Sequence, residues 1–64
     1  MGTVASWASV RIEQKGHKAQ GTAGVALADS FVVEGVKGSV EVVDVKLDTT
    51  GQVERFKVAD VRVL

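Results

Sequence analysis

A six-residue phrase occurs twice in this chain: Val42-Val43-Asp44-Val45-Lys46-Leu47 returns sixteen residues later as Val58-Ala59-Asp60-Val61-Arg62-Val63. Acid, valine, base, aliphatic is an alternation of period two, the period at which successive side chains of a strand face opposite sides. The C-terminal third therefore reads as two matched strands joined by a turn. Fainter copies at Ser9-Val10-Arg11-Ile12 and Gly35-Val36-Lys37 put Arg11, Lys37, Lys46 and Arg62 at an equivalent place in four strands. Positive charge is thereby spread over a sheet.

Composition agrees with an all-β chain. Fourteen of the 64 residues are valine, whose branched Cβ suits a pleated strand, and leucine is confined to Leu27, Leu47 and Leu64. No stretch carries apolar residues at i, i+3, i+4 and i+7 over three turns, so no helix is expected. A single core of this size rarely supplies more than roughly 3–5 kcal/mol without disulfides, a metal or oligomerisation. There is no cysteine, and one histidine with eight scattered carboxylates offers no zinc-type ligand set. Association of identical chains is the remaining support, and no cofactor is expected. The apolar runs are too short to span a membrane, and the N-terminus lacks the basic and apolar segments of a signal peptide. With no cysteine present, a cytoplasmic location is expected.

The alternation divides the chain into about five antiparallel strands over residues 3–14, 19–27, 31–37, 40–47 and 52–64. Turns fall at residues 15–18, 28–30 and 48–51, where Gly16 and Gly51 supply conformational freedom. The second strand, with Gly21, Ala23, Gly24 and Ala26 around Val25, must pack closely against something or bend sharply. Three strands fall out of step once each, at Val36, at Val42-Val43, and between Phe56/Val58 and Val61/Val63. Each slip means either a bulge or a strand whose two ends face different cores, one of them against another subunit. Both readings favour a curled sheet, a small barrel or an intertwined oligomer.

Net charge is zero, so attraction to nucleic acid rests on how charge is distributed. Lys15, His17 and Lys18 cluster around Gly16, with no carboxylate between Glu13 and Asp29. The residues carry no catalytic signature. His17 sits in an expected turn between lysines, with no convergent nucleophile and orienting acid to be read from the sequence. The Gly16, Gly21 and Gly24 spacing is followed by no helix that could hold a phosphate. Asp44 and Asp60 read as solvent-facing members of alternating strands, and strand lysines and arginines equally serve to discourage edge-to-edge aggregation. Trp7, Phe31 and Phe56 are the candidate anchors of a subunit interface, Trp7 being alternatively a ring on which a base stacks.

The stretch from Ala23 to Lys37, a small-residue strand ending in Leu27, a short acidic turn at Asp29, Phe31-Val32-Val33 and a Val36-Lys37 ending, resembles the second hairpin of the stage V sporulation protein G (septation regulator) family. Asp44-Val45-Lys46-Leu47 and Asp60-Val61-Arg62-Val63 are similar to that family's opening strand, although they fall at the other end of this chain. The family's Met-Pro-Ser strand and C-terminal helix have no counterpart here. The resemblance implies a small dimeric β-rich regulator that binds DNA or RNA. The leading expectation is therefore an oligomeric nucleic-acid-binding protein contacting phosphates through Lys15, His17 and Lys18, helped by Arg11, Lys37, Lys46 and Arg62. The alternative is a protein-interaction or structural accessory module that binds another protein by strand addition. A ligand-holding oligomer with Trp7 in its pocket is a third reading.

Overall fold

Valine alternation builds six strands, and the longest organises the rest. In the computed structural model, which describes residues 4–64, β4 (Gly38–Leu47) pairs with three others. β5 (Val53–Lys57) covers residues 42–46 of β4, β3 (Phe31–Gly35) covers 38–42, and β2 (Ala23–Ala26) covers 45–47. Because β5 overlaps both of the others, it occupies one edge of β4, while β3 and β2 lie end to end along the opposite edge. β1 (Ser9–Ile12) pairs with β2, and β6 (Val61–Val63) pairs with β1. All pairings are antiparallel, and the sheet curls into a half-barrel. Its inner face gathers Val10, Ile12, Ala26, Val43, Val45, Leu47 and Phe56, joined by Val4 and Ala19 from the connecting segments.

The expected strand over residues 52–64 is broken. A 3₁₀ turn at Val58–Asp60 lets the chain pass from β5, beside β4, to β6, beside β1. This turn, rather than a bulge, absorbs the slip between Phe56 and Val61. The two copies of the repeated phrase are consequently unlike: Asp44 lies within a strand and Asp60 within the turn. The β4–β5 hairpin turns at residues 48–51 as expected, with Gly51 at φ +72°. The slip at Val42-Val43 involves no bulge either, since β4 runs through it and both side chains are buried. Val43 faces the core, whereas Val42 shares its face with Phe31, Val33 and Val40 across the β3 register, so both apolar sets lie within one chain. Val36 is out of step because it forms the fully exposed tip of the β3–β4 hairpin.

Two more strands are shorter than their alternation. Gly21, at φ +85°, and the bond from the Gly21 N–H to the Ile12 carbonyl (2.7 Å) close a loop over residues 13–22, so β2 begins only at Ala23. The first strand starts at Ser9 because residues 5–8 form a turn, closed by the Ala8 N–H on the Ala5 carbonyl (3.2 Å); its expected start at residue 3 lies outside the described residues. Trp7 is the third residue of that turn and has φ +67°, the only non-glycine residue with positive φ among those described. Type II turns place glycine or asparagine there, and an L-residue with a Cβ loses about 1–2 kcal/mol in this region.

A clamp holds the strained segment in place. The Trp7 N–H donates to the Ala26 carbonyl (2.7 Å), and the buried Ser30 accepts the Val4 N–H on its hydroxyl (3.0 Å) while its own N–H returns to the Val4 carbonyl (2.8 Å). The Asp29 carboxylate accepts both the N–H (2.8 Å) and the hydroxyl (2.9 Å) of Ser6. These bonds, the backbone one first, hold the Asp29 pKa below its ordinary 3.8. A depressed folded pKa contributes stability that is present above the unfolded value and lost as pH falls through the folded one. The thermal advantage of the parent over Asp29→Asn should thus be constant near neutrality and shrink below about pH 4, as paired melts across that range would read.

Candidate functional site

The outward side of the sheet collects the cations. In the β1–β6 register Arg11 stands directly opposite Arg62, an arrangement that brings neighbouring Cβ atoms to about 5 Å and sets like charges side by side. Loop 13–22 then folds back so that Lys15 joins Arg11 in lining an open cleft of about 390 Å³. Gln20 and the Gly21 backbone complete its polar wall, and Glu13 supplies its one carboxylate. None of Arg11, Lys15 and Arg62 has an ion pair among the described residues. Lys46 projects from the same outward face of β4, between Val25 of β2 and Val53 of β5 in the register.

The other expected contacts are placed differently. Lys37 is at the tip of the β3–β4 hairpin, outside the strand-borne group. His17 is not an exposed turn residue. Its Nδ1 accepts the Ala19 N–H (2.9 Å), which leaves the ring proton on Nε2, facing Glu54 Oε1 at 3.3 Å. The ring meets Phe56 edge-on, with centroids 5.0 Å apart. His17 thus turns towards an acid and the core and is half-buried rather than exposed. Lys18 lines a separate cavity of about 180 Å³ with Thr22, Thr49, Thr50, Gln52 and Glu54.

Of the three expected interface aromatics, Phe56 is 2% exposed within the single chain and belongs to its own core. Phe31 is partly covered by the Arg55 guanidinium, 5.0 Å from its ring centre, which in turn donates to Asp44 (Nε to Oδ1, 2.9 Å). Trp7 is the most open of the three, at 72%. Arg55 and Lys57 also face outward, a placement readable from the alternation of Val53, Arg55 and Lys57, although β5 lies outside the repeated phrase. Glu54 gave no sequence signal, since only the fold brings it to His17.

No helix among the described residues is long and apolar enough to cross a membrane. No family model, no curated protein and no solved structure matches this chain.

Proposed function

We propose that this chain is a small nucleic-acid-binding protein that works as a homo-oligomer and holds phosphates on its outer sheet face through Arg11, Arg62 and Lys15. One observation carries the reading. Two arginines are set opposite each other, Arg11 in a cleft that Lys15 also lines, and neither forms an ion pair among the described residues although Glu13 lies in the same cleft. Like charges in that relation repel, and an anion bound between them relieves the repulsion while releasing counterions from a nucleic acid. The sequence resemblance to a family of nucleic-acid-binding regulators points the same way. Lys46 extends the positive face across the sheet.

A second reading, docking of another protein, is favoured by β3. That strand pairs only with β4, so its outer edge offers unpaired backbone groups beside Val32, which is 62% exposed. The two readings separate in a salt titration. Replacing Arg11 and Arg62 by alanine should lower the slope of log affinity against log salt by about two for DNA or RNA, at unchanged or slightly higher thermal stability. Lys37→Ala should leave the slope as it is. Absence of binding by the parent at low salt would pass the lead to strand addition at β3.

A further inference from the structure

We infer that Trp7 is a stacking platform for an unpaired base, so that the nucleic acid this chain takes is single-stranded; the inference rests on the phosphate-binding reading above. The side chain is where an indole has no packing reason to be. It occupies a turn position suited to glycine, at φ +67°, and remains 72% exposed. Strained backbone persists only where surrounding contacts fix it, and here bonds from Ser6 to Asp29, from Trp7 to Ala26 and between Val4 and Ser30 do so. Their joint effect is to present the ring to solvent on a rigid base.

The surroundings select the ligand. Arg11 is four residues further along the same segment, no more than about 14 Å away, and Arg62 is its cross-strand neighbour. An exposed ring followed by unpaired cations is the combination that binds single strands, in which every base offers a π-face and the cations track the backbone. The bases of a duplex are stacked on both sides and have no face to give. A protein–protein hot spot is instead surrounded by contacts that exclude water and is depleted in charge at its centre.

Because Trp7 is the only tryptophan, its emission reports the contact directly. The full chain would be titrated at low salt with an oligothymidylate of about 16 nucleotides and with a duplex of equal length. The single strand should quench the emission and the duplex should not. Trp7→Ala and Trp7→Gly should each lose about five- to a hundredfold in single-strand affinity, with the salt slope kept, and Trp7→Phe should retain most of it. Trp7→Gly should melt above Trp7→Ala, the reverse of the usual order, because only glycine is relaxed at this φ. Binding that depends on Arg11 and Arg62 but neither quenches Trp7 nor responds to Trp7→Ala would overturn the inference and leave the phosphate reading standing. Failure of both nucleic acids to bind would remove the two together. A shift of Trp7→Ala and Trp7→Gly to smaller mass in sedimentation, with binding intact, would make the ring a subunit anchor and also overturn the inference.

Discussion

Gly24→Ala is expected to abolish most of the stability of this chain. A Cβ on Gly24 would stand 2.6 Å from Val45 Cγ1 and 2.7 Å from the Lys46 carbonyl oxygen. The valine methyl can rotate away, but the carbonyl belongs to the backbone of β4, where Lys46 is the register partner of Val25 and Leu47 that of Gly24. Relieving the contact means moving β2 off β4, which separates the two halves of the sheet. Overpacking costs typically 1–3 kcal/mol and more where nothing yields, against roughly 3–5 kcal/mol for the whole core of so small a domain. Gly21→Ala is the control. Its site has open space and only the φ of +85° to offend, so it should lose about 1–2 kcal/mol. A denaturant midpoint for Gly24→Ala above that of Gly21→Ala would mean that β2 and β4 are not packed as described.

The small-residue run around Val25 announces either a close approach or a sharp bend, and the fold realises the first, with β4 the element approached. A curled sheet is one of the outcomes that the Val42-Val43 slip allows, since the two side chains cannot both face one core. What local pattern could not reveal is where the alternation stops. Residues 52–64 alternate almost as well as a single strand would, and only the need to carry β6 round to β1 inserts the 3₁₀ turn at Val58–Asp60. The Ala23–Lys37 stretch likewise reads as a hairpin, yet β2 and β3 do not pair with each other; each takes its own length of β4. The candidate site was half legible. Alternation put Arg11, Lys46 and Arg62 outward, but the register that sets Arg11 against Arg62 is long-range. His17 is half-buried and not an exposed turn residue because the lysines on either side are its neighbours in sequence, whereas Glu54 and Phe56 are its neighbours in space.

Phe56→Ala provides the second large effect and decides between two roles for an aromatic residue. A buried phenylalanine truncated to alanine loses about 3–5 kcal/mol, as much as a core of this size provides, so the variant should be mainly unfolded at room temperature. The loss has a specific source. Phe56 sits opposite Val43 in the register and beneath the edge of the His17 ring, so its removal empties the space between β4, β5 and loop 13–22. An aromatic at a subunit interface would behave differently, because mass action links its contribution to protein concentration. Melts of parent and variant over a hundredfold range of concentration distinguish the cases. A deficit that is the same at every concentration places Phe56 in the core of one chain, whereas a deficit that is absent in dilute solution and opens as the chain is concentrated places it between chains. Val53→Ala, on the outward side of the same strand, calibrates the comparison. At 53% exposure its loss should stay within about 0.5 kcal/mol, so a larger value there would show that the outward face of β5 is covered by another copy.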